Sequence, residues 1–199
     1  MSTFSKTLAI LCLPISLFAQ NFTGGFGAGF TTSQIHADLH AGYNKGGLMA
    51  YTFVEKEIKD MEFGLGLRYI QKGSRMDADL RETTQRDYEI ELSYVELPVY
   101  AVFPIESFAE IQAGASLGFL LSQYEGDHNG GFTNFRPFEP IDLSVNIQAN
   151  YLISENWKAF ASWSYSVLSI REHASGAKRF MNYGMLNNVL GFGMAYEFR

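Results

Sequence analysis

Apolar and polar residues alternate with a period of two through most of the chain, the signature of half-buried β-strands. In 61–72, Met61, Phe63, Leu65, Leu67 and Tyr69 fall on one face, and Glu62, Gly64, Gly66, Arg68, Ile70 and Lys72 on the other. In 141–151, Ile141, Leu143, Val145, Ile147, Ala149 and Tyr151 interleave with Asp142, Ser144, Asn146, Gln148 and Asn150. The same pattern predicts strands over 22–31, 88–103, 109–124, 157–169 and 189–198, and, with a fainter signal, 46–54. Short turns (55–60, 104–107 and 154–156) alternate with long polar loops (about 32–44, 74–87, 125–137 and 171–185).

Eight strands with alternating short and long connections predict an all-β fold: an eight-stranded antiparallel up-and-down transmembrane β-barrel, with short turns periplasmic and long loops outside. A soluble lipocalin-like barrel shares the strand count, but its apolar face points inward, whereas the apolar set here is too uniformly aliphatic and aromatic to face water. Tyr94-Val95-Glu96-Leu97-Pro98 puts a carboxylate and a proline in mid-strand. A polar lumen resolves this, with Glu96 pointing in and Val95, Leu97 and Val99 out. Tyr88, Ile90, Leu92 and Tyr94 share the inward phase, so Glu89 and Glu91 point outward. The expectation is that this part rises above the membrane into water; a bulge near Tyr94 that flips the phase is the alternative.

The first residues change where such a chain is placed. Lys6, the apolar run 8–18 and Ala19 have the layout of a secretory signal over 1–20, leaving 21–199 as the barrel domain. That run is too short to cross a bilayer as a helix. Cys12, the only cysteine, lies within it, which removes disulfides and thiolate chemistry from the mature chain. Removing Lys6 from the 15 basic residues leaves 14 against 21 acids, a formal charge of −7, and nucleic acid is excluded as a partner.

An eight-stranded barrel is just wide enough for side chains to fill it. The inward positions Glu62, Arg68, Lys72, Glu96, Glu110, Asp142, Lys158 and Glu197 are therefore expected to form a lumen charge network, with Arg68 opposite Glu96. Tyr151, Trp157, Tyr196 and Phe198 lie at the turn-side strand ends and fit an interfacial girdle. His36, Asp38 and His40 alternate and are of metal-ligand type, but a polar external loop accounts for them, and no metal or other cofactor is expected. No nucleophile elbow or compact Ser/His/Asp group is visible, so an enzyme is not expected. Loop residues such as Asp77, Arg81, Phe132, Arg136 and Lys178 offer a surface to a protein partner or to lipopolysaccharide.

The glycine-alternating first strand, Leu67-Arg68-Tyr69-Ile70-Gln71-Lys72-Gly73, the Tyr94-to-Pro98 stretch and a final strand ending in an aromatic resemble the PorT-like outer-membrane β-barrel family of Gram-negative bacteria. The resemblance implies export to the outer membrane and, for some members, a link to protein secretion. Arg199 after Phe198 departs from a bare terminal aromatic; Met194, Tyr196 and Phe198 still look like a signal for the barrel-insertion machinery. The expected role is structural or partner-binding, through external loops around a side-chain-plugged lumen. A narrow channel for small solutes is the alternative, and a barrel enzyme acting on lipid or peptide a third reading.

Overall fold

The computed structural model describes residues 22–36, 42–76, 87–127, 129–132, 136–172 and 184–198; the expected signal segment, Asp38, His40, Asp77, Arg81, Lys178 and Arg199 lie outside them. Strands β1 (Thr23–His36), β2 (Lys45–Ile58), β3 (Met61–Met76), β4 (Tyr88–Glu106), β5 (Ala109–Asp127), β7 (Ile141–Leu152), β8 (Trp157–Ser166) and β9 (Leu186–Phe198) each pair antiparallel with their neighbours, and β9 closes on β1. The two-residue β6 (Gly130–Gly131) pairs only with the end of β5. This is a closed eight-stranded antiparallel barrel. Following Cα partners from Gly24 through Val54, Leu65, Val99, Ala115, Val145, Tyr165 and Asn188 returns to β1 at Gln34. The circuit thus climbs ten residues, and the strands must tilt to absorb that stagger.

The wall is inverted relative to a soluble protein. Phe30 is 71% exposed and Leu121 60%, while Lys72 is 1% and Glu96 and Asp142 are 0%. With the strands closed into a sheet that has no free edge, such a wall can lie in hydrocarbon. Among the described residues no helix is long and apolar enough to cross a membrane; the crossing elements are strands.

Strands run further than the alternation alone suggests. β1 continues through Thr32 to His36, within the stretch expected to be loop, because Ile35 there turns inward and is buried. The turn expected over 55–60 shrinks to Lys59-Asp60, both at positive φ (51° and 66°), as a two-residue type I′ hairpin requires. β4 extends to Glu106 and β5 to Asp127, whereas β8 stops at Ser166, short of the expected 169. β4 keeps one phase throughout, and its outward Glu89 and Glu91 both meet Lys45. A register shift does occur beside Tyr94, but it belongs to β5: Ser93 faces Ser122 and Tyr94 faces Leu120, so Leu121 is the extra residue. Ser122, an even position like the inward Ser116 and Gly118, is thereby turned outward and exposed.

Inside, large rings sit on glycine. A Cβ at Gly64 would come within 2.2 Å of the Tyr100 ring, and one at Gly27 within 2.4 Å of the Tyr51 ring. These glycines are the recesses into which lumen aromatics fit. Gly64→Val should therefore destabilise the barrel by about 1–3 kcal/mol through overpacking. The urea midpoint of the detergent-folded protein measures this, and adding Tyr100→Ala should recover most of the loss.

Candidate functional site in the barrel lumen

Alternate inward positions on β3, β4 and β7 assemble the central layer. Arg68 and Lys72 fall in the same phase of β3 and so share its inward face, and Glu96 is the Cα partner of Arg68 on β4. Arg68 donates to Glu96 Oε2 from Nε (2.8 Å) and Nη2 (2.5 Å), and Nη2 also reaches Ser116 Oγ (3.2 Å) and Asn146 Oδ1 (2.9 Å). Lys72 Nζ lies 2.6 Å from Glu96 Oε1 and 2.9 Å from Asp142 Oδ2. Asn187 Nδ2 donates to that same Asp142 oxygen at 2.9 Å. Two cations and two carboxylates thus cross the lumen as one neutral, buried layer.

Toward the loop end an apolar plug covers this layer. Ile35, Ile90, Leu92, Tyr94, Ile170 and Val189 are all at most 2% exposed. Above them Arg171 Nη2 meets Glu125 Oε2 at 2.5 Å, with its guanidinium 3.6 Å from the centre of the Phe138 ring, and Tyr88 donates to Glu125. Sequence reasoning missed this second lid, because Phe138, Ile170 and Arg171 lie outside the barrel strands and show no periodicity.

Toward the turn end the lining differs. Tyr51, Tyr100, Gln112, Gln148, Arg68 and Asn146 line a small cavity of about 40 Å³. Below it, Lys158 Nζ is 3.0 Å from Glu110 Oε1 and 2.6 Å from Glu197 Oε2, and Asn150 Nδ2 donates to Glu110 Oε1 at 2.8 Å. Glu55 accepts from Tyr100 Oη (2.9 Å) and Gln112 Nε2 (3.1 Å). Glu62 stands half-buried at the same mouth and joins no ion pair among the described residues. The eight inward charges named from sequence therefore divide: Arg68, Lys72, Glu96 and Asp142 meet in one cluster, Lys158, Glu110 and Glu197 in another, and Glu62 in neither.

On the outer wall at the turn end, Trp157 packs edge-on against Tyr196 (5.1 Å between centroids), Tyr196 against Phe198 (5.5 Å), and Phe108 against Tyr151 (5.9 Å). His36 stands on the outer wall at the opposite end, with Nδ1 3.0 Å from the Tyr165 hydroxyl. No group of three metal-ligating side chains occurs among the described residues.

Glu96 holds two buried cations, so its removal takes Arg68's carboxylate away and leaves Lys72 with Asp142 alone. Glu96→Ala should cost about 3–5 kcal/mol, as for a broken buried pair. The double variant Lys72→Met/Glu96→Leu leaves Arg68 with Asp142, one charge of each sign. Its loss should fall at least about 1 kcal/mol short of the sum of the two single losses, as a double-mutant cycle in urea would show.

Comparison with known structures gives the same architecture. Ail, the attachment invasion locus protein of Yersinia pestis, solved with the heparin analogue sucrose octasulfate, is 14% identical, with a TM-score of 0.52 over 90% of this chain and 100% of that one. A major outer membrane protein of Thermus thermophilus is 15% identical, with a TM-score of 0.50 over 88% of this chain and 99% of that one. At such identity the likeness is one of fold. No curated protein matches the sequence. Residues 16–171 match the family described as outer membrane protein beta-barrel domain, most of the chain, and the protein belongs to that family of bacterial outer-membrane barrels.

Proposed function

We propose that this protein is a closed, non-enzymatic barrel that works through its outer wall and loop rim, as a membrane-embedded scaffold or partner-binding surface, with its lumen serving as structure. The observation that carries this is the double closure: a neutral ion-paired layer of Arg68, Glu96, Lys72 and Asp142 lies beneath an apolar plug. An ion entering from either end would have to part buried pairs and then cross a dry layer, which is costly without compensating contacts. In this reading residues 1–20 direct export, and the aromatic end of β9 is the segment offered to the barrel-insertion machinery. The PorT-like likeness rests on Gln71-Lys72-Gly73 and the Glu96–Pro98 strand; no described residue supports an accessory role in secretion.

A channel for small solutes has one observation in its favour. The turn-side mouth opens into a cavity of about 770 Å³ bordered by five acids, Glu55, Glu57, Asp60, Glu62 and Glu110, and by Lys56 and Lys59. That cavity ends below Tyr100 and Gln112, under the ion-paired layer. Purified protein in planar bilayers should therefore show no steady conductance steps. Regular steps from the wild-type protein would reject the closed-lumen reading in favour of the channel.

A further inference from the structure

Trp163 and Tyr165 occupy successive outward positions on β8 at its loop end, with rings 6.0 Å apart and only 24° from parallel. Their polar tips are used within the wall. Trp163 Nε1 donates to Asn188 Oδ1 at 2.9 Å, and the Tyr165 hydroxyl lies 3.0 Å from His36 Nδ1, whose ring stands edge-on to Tyr165 at 5.4 Å. Gln34 Nε2 is 3.3 Å from His36 Nε2. Girdle aromatics ordinarily send N–H and O–H groups out toward headgroups. Here those groups are anchored, which fixes two partly exposed rings beside an amide and an imidazole.

The patch is continuous with the lipid-facing wall. Immediately toward the turn end on the neighbouring strands stand exposed Phe30 and Phe192, which are Cα partners. A lipid whose chains lie on those rings must place its headgroup at the level of Trp163, Tyr165, Gln34 and His36. Among the described residues none in these contacts is lysine or arginine to meet a phosphate, whereas a sugar can stack its C–H face on the rings and hydrogen-bond to the Gln34 amide, which His36 Nε2 and the Gly42 N–H (3.0 Å from Gln34 Oε1) hold in place with a further N–H and a carbonyl lone pair to offer.

We infer that this rim patch is a binding site for a sugar ring of an outer-leaflet glycolipid headgroup, with Trp163 and Tyr165 as the stacking surface and Gln34, positioned by His36, as the polar arm. The inference rests on reading the long-loop end as the outer-leaflet side of a bacterial outer membrane. Trp157 and Trp163 are the only tryptophans, so Trp157→Phe leaves Trp163 as the sole reporter. In detergent-folded full-length protein, deep-rough lipopolysaccharide should give a saturable change in Trp163 emission and at least twofold protection from acrylamide quenching. Phosphatidylglycerol should give neither, and Gln34→Ala/His36→Ala on the same background should weaken the response at least threefold while keeping the folded, heat-modifiable band. Equal responses to both lipids, or no saturable response to the glycolipid, would overturn the site. Membrane fractionation separates the two levels: recovery of the protein outside the outer membrane would remove the reading on which the site rests, while recovery within it leaves the titration to decide the site alone.

Discussion

Glu96 is the residue on which the interior depends. Its two oxygens face two different cations, Arg68 through Oε2 and Lys72 through Oε1, with its own side chain at 0% exposure. Burying a carboxylate is costly, and burying two cations costs more; each is tolerable only because the others are there. Lys72 then carries the arrangement across the lumen to Asp142, so β3, β4 and β7, which are not all neighbours in the sheet, are tied through the middle of the barrel. Such a tie fixes the register as well as the width. A slip of one residue in β4 would turn Glu96 out to lipid, leaving Arg68 without a carboxylate and Lys72 with Asp142 alone.

The remainder of the interior follows from filling a tube of fixed width. Where one strand brings a ring inward, its neighbours bring glycine: Tyr51 lies against Gly27, Phe53 against Gly25, and Tyr100 against Gly64. This complementarity explains why glycine alternates along β1 without loosening it. The glycines there are surrounded, and the strand has partners on both sides from Gly24 to Ser33, the stretch that holds them all.

The alternation was readable because most strands separate apolar from polar residues cleanly, and the Arg68–Glu96 apposition was readable because counting back symmetrically from a hairpin sets antiparallel register. Where a strand breaks that separation, the reading loses its footing. Met49, Tyr51 and Phe53 turn inward, so β2 is apolar on both faces and its phase has no contrast to show. Thr32 to Gln34 look like loop because outward positions above the apolar band are polar, and only Ile35 marks the strand as continuing. The extra residue at Leu121 leaves no compositional trace, since a leucine fits either phase; only pairing with β4 reveals it. Phe138 and Ile170 reach the plug from irregular segments, where no period exists to place them.

The unequal strand lengths explain why irregular segments are needed at the loop end. β4 and β5 have 19 residues each, whereas β7 has 12 and β8 only 10, so the wall is lower on that side. Backbone bonds from segments outside the strands close the shortfall: Leu120 N–H donates to Pro140 O, Glu139 N–H to Ile170 O, and Ile170 N–H to Met185 O. These contacts bring Phe138, Ile170 and Arg171 over the barrel axis, onto the apolar layer. Among the described residues, the turn end has no apolar cap, and its backbone bonds from outside the strands, Leu152 N–H to Phe108 O and Glu197 N–H to Asn156 O, join neighbouring turns and strands, so it stays open at its carboxylates. Closure is thus a property of the loop end, built by the chain segments that also form the rim, so a partner engaging that rim would act on the elements that seal the lumen.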